Sequence, residues 1–310
     1  MRVRPIVAWL LVAGCAAWAV VRLFGLERGF PLVPLVAYTP IAAGAAVVVI
    51  VVAAVLRQRA AALVAAALAV ALAAVVVPRA LGGPTEPAGG SGPVLRVLTA
   101  NMLRGRGSPE ALVAVARRTR AHIVSVQELT PELALALDRA GFAELLPERV
   151  LDTRADRRNG LYARVPLRAR TVDPYVAAEV RVRGAAAVEV LAIHATAPIQ
   201  DLRVAQWREQ LRALPAASPG GPLRILAGDF NATLDHAELR SVLDRGYEDA
   251  AATVGAGLRA TWPAGRRLPP PVAIDHVLAD RRCGFRGVTV HPIAGSDHRA
   301  VLAEVLLPRD

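Results

Sequence analysis

Lysine is absent from the 310 residues, so all 37 basic side chains are arginine, set against 26 acidic ones. The chain is also rich in Ala, Val and Leu. Its formal charge of +11 therefore reads as a coding bias more than as an argument for a nucleic-acid partner. Aromatic residues make up only 4%, and no basic cluster is interleaved with them, as a groove for single strands requires. Two cysteines occur, Cys15 and Cys283. They exclude a disulfide framework, and no C-x-x-C or Cys/His zinc pattern is present. The soluble part must be held by its own core.

What the amino-terminal region has in place of charge is apolar length. Three segments, Pro5 to about Val21, about Pro34 to Leu56, and Ala60 to Val77, each approach the length needed to cross ~30 Å of hydrocarbon at ~1.5 Å per residue. None has an ionisable residue at its middle, which disfavours a transporter or proton relay and favours a plain anchor. Arg2 and Arg4 precede the first segment, and Arg57 and Arg59 separate the second from the third. Basic short loops stay inside, so three crossings put everything after Val77 outside the cell. Arg22 and Arg28 run against that orientation. An alternative for the first segment is a signal peptide. Leu11 to Cys15 even resembles a lipoprotein processing site, although the residues after Cys15 stay apolar; lipidation of Cys15 is left open. An alternative for the alanine-rich third segment is a buried soluble helix. Pro78 to Pro93 is Gly- and Pro-rich and reads as a flexible tether. The expected organisation is a membrane anchor at 1–80, a linker at 81–93 and a soluble domain at 94–310.

In the soluble part, short apolar runs alternate with helical patterns. Strands are expected at 94–100, 123–126, 160–163, 178–183, 188–193, 223–227, 272–278, 287–291 and 300–307. Helices are expected at 109–120 (Ser108 as N-cap), 131–140 (opened by Thr130), 201–214 and 237–244. Strand after strand ends in a polar residue able to bind metal or phosphate: Asn101, Glu128, His194, Asp229. Strand ends are where mixed α/β proteins build sites. In Gly228-Asp229-Phe230-Asn231, the acid and the amide share one face of an extended chain; an Asx turn is the plainer alternative. Asp275 lies in an apolar strand and needs a partner. His298, preceded by Asp297, lies in a loop before the last strand. A carboxylate orienting a histidine is a standard acid–base arrangement; a turn cap and an exposed histidine are the alternative.

These residues resemble one family. TANM at 99–102, QE at 127–128, NGLYARVPL at 159–167, IHAT at 193–196, GDFNAT at 228–233, TWP at 261–263, IDHVL at 274–278 and SDHRAV at 296–301 stand in the order found in the endonuclease/exonuclease/phosphatase superfamily, the DNase I-like metal-dependent phosphoesterases. The apolar helices are similar to the anchor of a bacterial membrane-attached subgroup. The resemblance implies a four-layer α/β/β/α sandwich with its site at one edge between two mixed sheets.

It also implies chemistry. The substrate is a phosphate ester, whether nucleic acid, lipid headgroup or small molecule, and water is the nucleophile. Glu128 is the principal Mg²⁺ or Mn²⁺ ligand, with Asn101 close by and Asp297 as a second contact. His298, oriented by Asp275, takes the proton from water, and Asp229 positions that water. Asn231 and His194 donate to phosphoryl oxygens. Arg203 and Gln206 either fix the His194 loop or face solvent. Trp262 packs a loop against the site, and Asn159-Gly160 forms a turn, with a reach of Asn159 to the substrate as the alternative. No obligate protein partner is implied. The rival class is a non-catalytic binding or signalling module on the same anchor, against which the intact acid–base set argues. No long basic insertion is available to grip duplex DNA.

Overall fold

The computed structural model describes residues 3–87, 90–154 and 158–309. Arg2, together with Ala88 and Gly89 of the expected linker, lies outside them.

The amino-terminal region forms helices α1 (Val3–Phe24), α2 (Leu32–Val36), α3 (Thr39–Val55) and α4 (Arg59–Val76), the last running into a single 3₁₀ turn at Val77–Ala80. Three full-length spans were expected; two helices, Val3–Phe24 and Arg59–Ala80, are long and apolar enough to cross a membrane. The segment at 34–56 breaks instead into α2 and a 17-residue α3. Proline explains the break: Pro34 lies inside α2, and Pro40 opens α3 in its first turn, where a missing N–H costs nothing. Alanines Ala8, Ala46, Ala53, Ala61 and Ala65 are buried at the helix contacts. Large apolar side chains such as Leu10, Val48, Val51, Leu63 and Val70 point outward and are more than half exposed.

The rest of the chain contributes β1 (Ser91–Asn101), α5 (Pro109–Arg118), β2 (Ile123–Gln127), α6 (Pro131–Arg139), α7 (Phe142–Leu145), β3 (Glu148–Asp152), β4 (Asn159–Ala163), β5 (Leu167–Val172), β6 (Tyr175–Val180), β7 (Val188–His194), α8 (Asp201–Ala213), β8 (Leu223–Asp229), α9 (Ala237–Asp244), β9 (Tyr247–Asp249), α10 (Ala250–Thr253), β10 (Asp275–Asp280), β11 (Gly284–Pro292) and β12 (Arg299–Pro308). Ser108 and Thr130 cap α5 and α6, accepting from Ala111 N and Leu133 N. The strands form two six-stranded sheets, ordered β11-β12-β1-β2-β4-β3 and β5-β6-β7-β8-β10-β9.

The period-2 alternation of each strand sorts its side chains into layers. Leu95, Val97, Ile123 and Leu161 of one sheet meet Val176, Val190, Ile225 and Val277 of the other. Leu98, Ala100, Val124 and Val126 face α5, α6 and α7 on the opposite side. Leu191, Ile193 and Leu226 face Val204, Trp207 and Leu211 of α8 and Leu239 and Val242 of α9. The result is helix, sheet, sheet, helix.

Each sheet has one parallel pair, β1/β2 and β7/β8, with antiparallel neighbours. A helical crossover, α5 or α8, joins each parallel pair, so the carboxyl ends of both strands reach the same edge. Antiparallel neighbours β10 and β12 begin at that edge. Six strand termini therefore carry Asn101, Glu128, His194, Asp229, Asp275 and His298 to one place.

The segment expected to be a loose tether is docked. Arg79 is buried and donates to both oxygens of Asp235 at 2.8 and 2.6 Å. Thr85 pairs with Phe285, and Ser91 already lies in β1. Arg22, at the end of α1, donates to Asp235 at 2.7 Å. The arginine that ran against the sequence-based orientation is thus occupied with the sandwich.

Candidate active site

The site grows from the register of β7, β8 and β10. His194 pairs opposite Asp229, and Asp275 lies opposite Asp229 on the other side. Gly228 permits the approach: a Cβ there would lie 1.9 Å from the Ile193 carbonyl oxygen. Beyond Asp229 the chain turns through Asn231 at φ 46°. That turn returns the Asn231 N–H to Asp229 Oδ1 at 2.8 Å, so the Asx turn and the site motif are one structure.

Asp275 accepts from His298 Nδ1 at 3.0 Å through Oδ2 and at 3.2 Å through Oδ1. Thr261 Oγ1 accepts from the backbone N–H groups of Ile274 and Asp275, which fixes where the carboxylate emerges. The Ser296 hydroxyl accepts from His298 N at 3.0 Å and donates to Asn101 O at 2.7 Å. The loop before β12 is thereby tied to the end of β1. With Nδ1 engaged, the His298 Nε2 faces Asp229 Oδ2 at 3.8 Å and Asp297 Oδ1 at 4.0 Å. Asp229, Asp275 and His298 are all buried. Burial pushes the Asp229 carboxyl up, an effect that the neighbouring His298 opposes. Burial alone would lower His298, but Asp275 and Asp229 outweigh it and hold its proton well above the usual histidine range.

Glu128 begins where β2 ends, at φ 56°, a left-handed conformation that costs energy for a non-glycine residue and that concentrates at functional sites. Its carboxylate accepts from Arg104 N at 2.7 Å and from Asn101 Nδ2 at 3.1 Å. The same Asn101 amide donates to Asp229 Oδ2 at 3.0 Å, and its oxygen accepts from Leu103 N. Asn101, expected close to the metal, turns its N–H groups to the two acids and so holds Glu128 and Asp229 together. The Asn231 side-chain N–H groups go to Ala195 O at 2.8 Å and Asp229 Oδ2 at 3.2 Å. His194 Nε2 stands 3.7 Å from Glu128 Oε1, at the cavity wall.

A cavity of about 430 Å³ opens over these groups. Glu128, His194, Asp229, Asn231, Asp297 and His298 line it, together with Arg104, Arg106, Arg158 and Arg203. None of those four guanidinium groups forms a hydrogen bond or ion pair among the described residues. Unpaired arginines around a cavity suit a phosphate. Trp262 forms another wall and donates to Asp297 Oδ2 at 3.1 Å.

Two arrangements offer a place for a divalent cation. One ligand atom each from Asp229, Asp275 and His298 lies within 4.8 Å of the others, but a metal there competes with the Asp275–His298 hydrogen bond. The Oδ1 of Asp297 is buried without a partner, a costly state for a carboxylate. Together with the half-buried Glu128, it offers hard oxygens to the same cavity, which fits magnesium or manganese.

Sequence reasoning missed several supporting residues. Gln127 is buried in a relay, accepting from Thr99 and donating to Ser125, whose hydroxyl reaches Ala227 O in the other sheet. Gln210, not Gln206, fixes the His194 loop by accepting from Thr196 N at 2.7 Å. Asn159 and Gly160, expected to turn, are buried within β4. Arg104, Arg106 and Arg158 come from two loops and carry no local sequence signal, whereas Arg203 lies in α8, where the sequence left its direction open.

The chain belongs to the Endonuclease/Exonuclease/phosphatase family, whose pattern matches residues 98–298. That family name covers nucleases and phosphatases, enzymes that hydrolyse phosphate esters. Solved structures with the same DNase I-like fold include humanized D. rerio TDP2, 16% identical, with a TM-score of 0.55 over 68% of this chain and 98% of that one. D. rerio TDP2 complexed with a single-strand DNA product gives 16% identity and a TM-score of 0.54 over 69% and 99%. An endonuclease/exonuclease/phosphatase from Beutenbergia cavernae DSM 12333 gives 18% and 0.51 over 69% and 72%. No curated protein sequence matches the chain.

Proposed function

We propose that the protein is a membrane-anchored, metal-dependent phosphoesterase in which residues 94–310 form the catalytic domain and residues 1–80 the anchor. The observation that carries the reading is the buried Asp275–His298–Asp229 trio opening into a cavity lined by four arginines that are unpaired among the described residues. A structural ion pair has no need of such a cavity.

In this mechanism the arginines draw in the phosphate and His194 donates to one of its oxygens. A water lies between His298 Nε2 and Asp229. Its oxygen bonds to phosphorus, its proton passes to Nε2, and the P–O bond to the leaving group breaks. Asp275 holds the Nδ1–H tautomer and steadies the imidazolium. The leaving oxygen takes its proton from solvent, and no bond forms between enzyme and phosphorus. Magnesium or manganese, held by Glu128 with Asp297 as a second contact, would withdraw charge from a phosphoryl oxygen, stabilise the leaving oxygen and weaken the hold of the carboxylates on the His298 proton.

The anchor reading rests on the outward apolar faces of α1, α3 and α4. We take all three as crossing the cell membrane, with α3 the short one, and the catalytic domain as extracellular. The connectivity agrees: the ends of α1 and α4 both meet Asp235, which leaves Arg57 and Arg59 on the far side. A reporter fused after Val77 that is active only in the cytoplasm overturns the orientation.

The function is tested with full-length protein in detergent against bis-p-nitrophenyl phosphate, plasmid DNA, RNA and phospholipid. Turnover should require magnesium or manganese and stop with EDTA. Glu128→Gln should lose activity by about a hundredfold and need more metal to recover. Hydrolysis that persists in EDTA removes the metal from the scheme.

A further inference from the structure

A second cavity, about 280 Å³ in volume, adjoins the first. Ala197, Asn231 and Trp262 line both, so the two share a wall at the site. The second differs in chemistry. Its walls include Pro198, Ile199, Val272 and Ile274 from the sandwich, and Pro34, Ala37 and Tyr38 from the junction of α2 and α3. The catalytic cavity is polar and arginine-lined; this groove is apolar, and part of it is built by the anchor.

The loop that leads from α1 into α2 is fastened to the sandwich. Asp201 accepts from Phe30 N at 2.7 Å, Arg208 donates to Glu27 O at 2.6 Å, and Glu27 accepts from Ala237 N at 2.6 Å. Around the junction, large apolar side chains stand in the open: Phe30 at 50%, Ile199 at 53%, Leu202 at 82% and Leu268 at 77% exposed. Other exposed large apolar side chains of the sandwich are few, Leu135 and Leu258 among them. An apolar rim next to apolar helices marks a surface that meets a bilayer.

We infer that the groove holds an acyl chain of a membrane phospholipid whose phosphodiester lies in the arginine-lined cavity, so that the substrate is a lipid taken directly from the bilayer. The inference rests on the phosphoesterase reading of the site and adds the substrate class. A nucleic acid has no group for an apolar channel that leads from the site toward the anchor. A phospholipid has both an anionic diester and a chain, joined in the order in which the two cavities are joined. The bilayer supplies it at the level where α2 forms the wall.

The test uses full-length protein in nanodiscs of equal parts phosphatidylcholine and phosphatidylglycerol, with a trace of phosphatidylcholine bearing a diazirine on one acyl chain. After illumination, peptides containing Ala197 to Ile199 and Val272 to Ile274 should carry label, besides the outward faces of α1, α3 and α4. This readout does not depend on turnover. In parallel, the ratio of phospholipid to bis-p-nitrophenyl phosphate hydrolysis should fall about tenfold in Ile199→Asp and be kept in Ile199→Val. Ile199 is exposed, so a charge there does not threaten the fold. Label confined to the anchor helices, or an unchanged ratio, overturns the lipid inference while leaving the phosphoesterase reading intact. If no phosphate ester is hydrolysed but the groove peptides are labelled, the groove stands as a lipid site and the catalytic reading falls.

Discussion

Two buried Asp–His pairs sit side by side on β10, and they do different work. Asp275 and His276 are consecutive, so the strand sends them to opposite faces. Asp275 meets His298 at the sheet edge. His276 turns outward and is bonded at both nitrogens, to Asp249 at 2.7 Å and to Ala232 O at 2.8 Å, with Phe230 against its ring. The two pairs share residue types, burial and a raised histidine pKa. They differ in what the second ring nitrogen faces. In His276 it is satisfied and sealed; in His298 it looks across a cavity at carboxylates too distant to bond. A histidine held at one nitrogen and free at the other can move a proton. One held at both is a brace.

The widest separation between the pairs should appear in turnover. His298→Ala should lower kcat on bis-p-nitrophenyl phosphate by about a thousandfold, whereas His276→Ala should leave the kcat of the folded fraction within about threefold. Equal losses would erase the distinction. A step smaller, Asp275→Asn should cost about a hundredfold in kcat with little change in KM, because the amide no longer holds the Nδ1–H tautomer. In Asp249→Asn the loss should instead appear in thermal stability. The third contrast is energetic. His276→Ala leaves Asp249 buried without its partner and should destabilise the protein by about 3 kcal/mol, read as a lower midpoint in thermal unfolding.

The sequence made the difference between these pairs only half visible. Asp275 and His298 stood out because each broke an apolar pattern just where a strand ended or began. His276 lay in the same apolar run, yet its partner Asp249 belongs to β9, a three-residue edge strand too short to show periodicity. The central strands β1, β2, β7 and β8 were legible for the converse reason: both faces are buried, and each run stops abruptly at a polar residue. The edge strands β3 and β5 were not, since β5 reads Leu-Arg-Ala-Arg-Thr-Val with mostly exposed side chains and half-exposed strands carry weaker signals. Asn101 and Asn231 stand among the site residues, but their hydrogen-bond partners there had no signal in the sequence. An amide offers donors and an acceptor from one position, and only the neighbours decide which are free. The docking of Arg22 and Arg79 on Asp235 had no local signature, because the partners are more than 150 positions apart.

The smallest predicted effect bears on charge. Burial alone would lower His276, but the Asp249 carboxylate facing Nδ1, the Ala232 carbonyl facing Nε2 and the more distant Asp275 together raise it. A histidine whose folded pKa lies above its unfolded value of about 6.5 stabilises the fold fully below that pH, and the contribution is lost as the pH rises through the folded value. His298 is raised as well and adds a loss of the same sign, so the wild-type curve alone does not separate the two. The difference between wild type and His276→Gln does, because His298 is common to both. Thermal midpoints of the full-length protein in detergent should therefore fall more steeply for wild type than for His276→Gln as the pH is raised above about 6.5, by a few degrees at most. Parallel curves would mean that folding does not raise the pKa of His276; the brace would then rest on hydrogen bonds alone, and the raised value would belong to the catalytic pair.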